Sequence, residues 1–203
     1  MDVFNIYALG SIGSGKHLFF DTLNINFRAQ EGLYKVYSND YSYKSQQYKY
    51  IIYLISGSFK DPGLLPSQKT MCDAVIFFAN PLIEEEFEQI NSIIFRVSEV
   101  HPNALIVLVT QNVFGNFDSL PPDIQEVAMM NGAALCDLEE NYNLKLCALN
   151  YNLDEIQSLE NGDPMVQFKF FKLFNDTFYD IIHDLIERHE NEDLLRPIRT
   201  EEL

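Results

Sequence analysis

The stretch Val3-Phe4-Asn5-Ile6-Tyr7-Ala8-Leu9-Gly10-Ser11-Ile12-Gly13-Ser14-Gly15-Lys16-His17 decides how this chain folds. Residues 3–9 read as a strand and residues 16–23 as the start of a helix, with a glycine-rich turn between them. In such a unit the glycines let successive backbone N–H groups wrap a phosphate. The helix N-terminus adds partial positive charge, and the lysine reaches the terminal phosphates. The eighth position of the pattern ordinarily supplies a Ser or Thr hydroxyl to Mg²⁺. Here it is His17, which has none. The plain alternative is a glycine-rich turn that binds nothing, but fixed Gly, Gly and Lys between a strand and a helix favour descent from a phosphate-binding loop. The candidate binding residues are therefore Gly10, Ser11, Gly13, Ser14, Gly15, Lys16 and His17, with no catalytic or metal-ligating residue among them.

Composition narrows the function classes. The 203 residues fit one domain with a sizeable core, and 47% hydrophobic residues mark it as globular rather than disordered. A net charge of −16, with only 14 lysines and arginines and no basic cluster among them, argues against nucleic-acid or anionic-membrane partners. Phosphate surfaces need a basic face. Cys72, Cys136 and Cys147 are odd in number and far apart, which fits buried free thiols in a reducing compartment better than a disulfide framework or a zinc site. Met1-Asp2-Val3 opens no charged leader, no stretch reaches transmembrane length, Asp2 is incompatible with myristoylation, and Arg199-Thr200-Glu201-Glu202-Leu203 has no prenylation cysteine. The expectation is a soluble cytoplasmic protein without a direct membrane anchor.

Further along, residues 24–32 are polar. Residues 33–43 and 48–56 read as an antiparallel hairpin joined by the turn Lys44-Ser45-Gln46-Gln47. Residues 57–68, with two glycines and two prolines, read as a loop. Ala74-Val75-Ile76-Phe77-Phe78-Ala79 is a continuous apolar run, the mark of a strand buried on both faces. Residues 84–100 read as an amphipathic helix with Phe87, Ile90, Ile94 and Val97 inward. Residues 104–110 read as a second apolar strand, 121–131 as a helix opened by Pro121-Pro122-Asp123, and 144–149 as the last strand. Residues 164–189 read as the longest helix, carrying Phe171, Phe174, Phe178, Ile181, Ile182 and Leu185 at helical spacing. The fold class is α/β: three layers, with a mostly parallel sheet that includes one antiparallel hairpin strand. One domain spans residues 1–190, followed by a polar, loose tail over 191–203. A sheet of this kind binds ligands at the carboxyl ends of its strands, where the glycine loop lies.

This order of elements resembles the small GTPases of the Ras, Rab and Arf kind, over about residues 3–189, with the phosphate loop as the specific motif. The family's other signatures are degraded one after another. Its Asp-x-x-Gly-Gln stretch, placed with its glycine on Gly57, becomes Leu54-Ile55-Ser56-Gly57-Ser58, so the metal-orienting carboxylate is Leu54 and the water-positioning glutamine is Ser58. The switch threonine has no counterpart, since no threonine occurs between Thr22 and Thr70. The guanine-reading Asn-Lys-x-Asp becomes Gln111-Asn112-Val113-Phe114, and Phe114 cannot accept the base's hydrogen bonds; Asn112 or Asn116 is a candidate displaced remnant, with ordinary loop asparagines the plainer account. Of the family's Ser-Ala-Lys loop, Cys147-Ala148-Leu149 keeps only Ala148. The resemblance thus implies a small-GTPase-like G domain with no bound cofactor, or a weakly held GTP or other nucleotide, and without Mg²⁺.

Plain readings suffice for most other groups. Glu84-Glu85-Glu86 is a negative first helical turn, Glu139-Glu140 a solvated loop, and His101, His183 and His189 lack metal-ligand spacing. The chain holds 16 Phe and 11 Tyr, with seven tyrosines between residues 34 and 53. On a sheet-edge hairpin those rings are either core or a partner-binding face. Three functions compete. The first is a catalytically inactive interaction subunit of a larger intracellular assembly, binding protein through the hairpin and switch-like face of residues 30–68. The second is an unconventional nucleotide-binding GTPase or NTPase switch, and the third a small-molecule kinase. Only Arg28, Arg96, Arg188, Arg196 and Arg199 are available to surround a transferring phosphate, which ranks the kinase last. The joint loss at His17, Leu54, Ser58 and Phe114 favours the first.

Overall fold

The structure, a computed structural model, describes residues 1–11, 13–55, 70–80, 84–112, 118 and 120–195. Its elements run β1 (Asp2–Gly10), α1 (Lys16–Thr22), β2 (Asn26–Glu31), β3 (Tyr34–Tyr43), β4 (Gln46–Ile55), β5 (Ala74–Ala79), α2 (Glu84–Val100), β6 (Leu105–Asn112), α3 (Pro122–Tyr142), β7 (Lys145–Asn150), α4 (Leu153–Glu160) and α5 (Pro164–Leu195). One sheet of seven strands has the order β2-β3-β4-β1-β5-β6-β7. β4, β1, β5, β6 and β7 are parallel, while β3 runs antiparallel to both β2 and β4. The α/β class and the mostly parallel sheet expected from the sequence are present.

The strand pleat divides the core in two. Phe4, Ile6 and Ala8 of β1 face one layer with α1 and α5, while Tyr7 and Leu9 face the other with α2 and α3. In the first layer, Phe19 and Phe20 of α1 pack against Phe78, Phe174 and Phe178 with ring centroids 5.0–6.3 Å apart. Edge-to-face and tilted pairs of this kind add to simple area burial. α5 buries Phe170, Phe174 and Phe178 at i, i+4 spacing, and Phe171, expected inside, is 38% exposed because it sits a quarter-turn off that stripe.

Several expectations need correction. The β3–β4 turn has two residues rather than four: Tyr43 pairs with Gln46, and Lys44 and Ser45 take φ of 47° and 69°, the left-handed pair that matches strand twist. The polar residues 26–31 form β2, a bulged edge strand against β3. Edge strands tolerate polar side chains because little of them is buried. α3 continues past Asn131 and Gly132 to Tyr142, ending on Asn143 with φ 48°. Glu139 and Glu140 are therefore exposed helical residues, not loop. α4 was not expected, although Asn152 and Glu155 form a reciprocal capping box at its start. α5 runs to Leu195, so residues 191–195 belong to the domain's helix rather than a loose tail. The loop read over residues 57–68, the Phe87 side chain and residues 196–203 lie outside what is described.

The hairpin end is fastened to α5. The Tyr41 hydroxyl hydrogen-bonds His183 Nε2 at 2.5 Å, the Tyr43 ring stacks on His183 at 4.5 Å, and the Tyr48 hydroxyl donates to Glu190 at 2.9 Å. No helix among the described residues is long and apolar enough to cross a membrane.

Candidate functional site

β1 delivers the glycine loop to the carboxyl edge of the sheet, and close packing there dictates its first residue. A Cβ on Gly10 would lie 2.5 Å from Ser14 Oγ and 2.8 Å from the Phe78 carbonyl oxygen at the end of β5. The backbone oxygen cannot step aside, so position 10 accepts only glycine. The loop then reverses through Gly13 (φ 86°) and Gly15 (φ 70°), and Gly15 precedes α1 in the left-handed region. A Cβ at Gly15 would also collide with the Gln111 carboxamide, 1.9 Å from its Nε2.

The charged residue of the loop is turned inward. Lys16 is 2% exposed, and its ammonium donates to the Gly10 carbonyl at 2.8 Å and the Ser11 carbonyl at 2.9 Å. Those two bonds pin the start of the loop to the first residue of α1. Ser11 and Ser14 are buried too; Ser14 N–H donates to the Ser11 carbonyl at 3.3 Å, while Ser14 Oγ has no hydrogen-bond partner among the described residues. Gly13 is exposed, and Ile12 lies outside the described residues.

Two residues that the sequence did not assign to the loop hold it from behind. Gln111 Nε2, at the end of β6, donates to the Ser14 carbonyl, and the Tyr151 hydroxyl, just past β7, donates to Gln111 Oε1 at 2.5 Å. Both are nearly buried, at 7% and 4% exposure. The chain Tyr151–Gln111–Ser14 thereby ties three parallel strands to one turn. Gln111 had entered only as a mismatch to the guanine-reading motif. Its tie to the loop depends on β6 lying two strands from β1, which no local spacing reveals.

His17 sits half-buried on α1. Burial pushes its imidazole pKa down, and the Lys16 and Lys35 charges push it further, against an opposing pull from Asp21. Its Nδ1 is buried without a hydrogen-bond partner among the described residues. The ring is therefore held neutral, offering neither a hydroxyl nor an exposed Nδ1. Leu54, the counterpart of the metal-orienting carboxylate, is fully buried among the apolar side chains of the α1–α5 layer. The Lys16 ammonium is spent on the loop's own carbonyls, and the residues at these two metal-side positions do not fit Mg²⁺ as the resemblance would require. Ser58, Phe114 and Asn116 fall outside the described residues. Ala148 is exposed on β7.

The hairpin tyrosines do not form an exposed face. Tyr37, Tyr48 and Tyr50 are buried, Tyr41 and Tyr43 pack against the α1–α5 layer, and Tyr34 and Tyr53 cluster with Tyr7 on the opposite one. Among the described residues, the exposed large apolar side chains at the β2 edge are Phe27 (57%) on β2 and Leu33 (49%) in the next turn. His183 and His189 are engaged with rings, the latter edge-on to Phe4 at 5.4 Å. The three cysteines are free, but Cys136 is exposed rather than buried. No model of a known protein family matches the chain, and no curated protein is significantly similar to it.

Proposed function

We propose that this chain is a catalytically inactive small-GTPase-like protein that serves as an interaction subunit of a larger intracellular assembly. The observation carrying the reading is His17. The position that would hold Mg²⁺ through a hydroxyl presents a neutral, half-buried imidazole, beside a loop whose lysine and Ser14 carbonyl are already bonded within the protein. Phosphoryl transfer depends on neutralising charge that develops on the phosphate, and a metal normally does so. With Leu54 in the core, this chain has lost a second group for that task.

Partner contact is assigned to the β2 edge, within and beside residues 30–68. Phe27 and Leu33 are the apolar anchors there, and a few such anchors usually dominate binding energy. The test of the inactive reading is turnover with GTP and Mg²⁺. No rate above the solution background is expected; a Mg²⁺-dependent rate that Lys16→Ala abolishes would overturn the proposal.

A second reading, a nucleotide held without turnover, is favoured by the loop's backbone. Gly13 and Gly15 take positive φ, and loops built on such glycines can turn successive N–H groups towards a phosphate. Added GTP would then raise the melting temperature by mass action, and Lys16→Ala would remove that increment.

A further inference from the structure

The amino-terminal end of the sheet carries a cavity of about 80 Å³, room for about two or three waters. It lies some 20 Å along β1 from the glycine loop, by the rise of about 3.3 Å per residue between Phe4 and Gly10, so it is independent of the function proposed above. Phe4 and Leu185, both nearly buried, give it an apolar floor. Cys72 and Asp73, leading into β5, form one wall, and Arg188 and His189, near the end of α5, form the other.

The charges across this cavity are opposite in sign, and neither is ion-paired among the described residues. Asp73 accepts from the Asn5 backbone N–H at 2.7 Å through Oδ2 but has no ion-pair partner among the described residues. Arg188 has neither an ion pair nor a hydrogen bond among them. In a chain with 30 acidic and 14 basic residues, an arginine without a carboxylate runs against composition. The Cys72 thiol, pushed up to about 12 by burial and then by the Asp73 charge, stays neutral and adds no second anion.

We propose that this cavity binds a small zwitterion of the α-amino-acid class with a short apolar side chain. Arg188 takes the carboxylate, which its planar fork matches with two parallel N–H bonds. Asp73 takes the ammonium through Oδ1, and the side chain rests on Phe4 and Leu185. A molecule the size of valine exceeds the cavity, so its short apolar side chain fills the space while its charged ends lie at the mouth beside the exposed Arg188, and it meets all three surfaces at once. Neither an isolated carboxylate nor an isolated amine does so.

The test is a titration of the full chain with L-valine, isobutyrate and isobutylamine, followed by amide chemical shifts. Saturable shifts at Asp73, Ala74 and Arg188 with millimolar affinity are expected for valine, with isobutyrate and isobutylamine each weaker by about tenfold or more. Arg188→Gln, an exposed change that leaves the core intact, removes about tenfold of the valine affinity, while Arg96→Gln on α2 leaves it unchanged. Absence of saturable shifts at tens of millimolar valine overturns the proposal. So does equal binding of all three probes, or equal weakening by the two arginine variants.

Discussion

At the scale of single residues, the glycine loop is a packed object before it is a binding site. Gly10→Ala drives a Cβ into the Phe78 carbonyl and Ser14 Oγ, and overpacking against backbone costs about 1–3 kcal/mol; urea denaturation measures it directly. Tyr151→Phe strips Gln111 Oε1 of its buried donor, at about 1–2 kcal/mol. Paired with Gln111→Leu, the two losses should add to less than their sum, because both sever the same connection; strict additivity would show that Gln111 does not carry the tie. Lys16 calls for a different comparison. Its ammonium bonds two loop carbonyls at 2% exposure, so Lys16→Ala lowers stability with or without a nucleotide site. Only the GTP-dependent increment in melting temperature tells the two functional readings apart.

At the scale of elements, what the sequence reveals follows what is decided locally. The apolar runs of β5 and β6 and the amphipathic α2 are set by burial pattern, and the sequence shows all three. β2 stays hidden because its six residues are mostly exposed and pair only with β3, so no alternation is required of them. Propensity predicts that α3 stops at Asn131-Gly132, but the helix carries on to Tyr142 and buries Leu138 in its second half, a tertiary contact that local propensity does not record. The candidate site divides in the same way: Gly10 to His17 is contiguous and readable, whereas Gln111 and Tyr151 reach it only through strand order. Two element-level changes follow. Asn152→Ala removes the acceptor for the Glu155 N–H at 2.8 Å and should cost about 1 kcal/mol of stability. Replacing Lys44-Ser45 by Asn-Gly, which the left-handed turn prefers, should gain up to about 1 kcal/mol. A loss there would mean that the Lys44 contacts with Glu187 and Glu190 outweigh turn conformation.

At the scale of the whole molecule, the aromatic core sets limits on pH. Tyr7, Tyr37, Tyr50 and Tyr151 have their hydroxyl pKa values raised first by burial, and Tyr48 is pushed up to about 12 by burial and then by its bond to Glu190. An unfolded tyrosine ionises near 10.0, below these folded values. Between those values the unfolded chain releases protons that the native state keeps. The tyrosine contribution is therefore complete below pH 10 and falls as pH rises through that window, while the Cys72 and Cys147 thiols, raised by burial from 9.0, begin the same loss near pH 9. His17 acts at the other end. Its folded pKa lies below the unfolded 6.5, so the unfolded state binds the extra proton, and stability present above 6.5 declines as pH falls below it. Glu155, lowered first by its bond with Lys169, adds a loss in the same direction at lower pH, a small one for so exposed a pair. A plateau of melting temperature between about pH 6.5 and 9 is expected, and His17→Gln should flatten its acid shoulder while leaving the alkaline fall in place. Added salt should raise the plateau, because a net charge of −16 repels itself in the compact state. A melting temperature that keeps climbing above pH 10 would mean the tyrosines ionise as readily folded as unfolded, and the buried ring clusters around α1 and α5 would have to be looser than their packing implies.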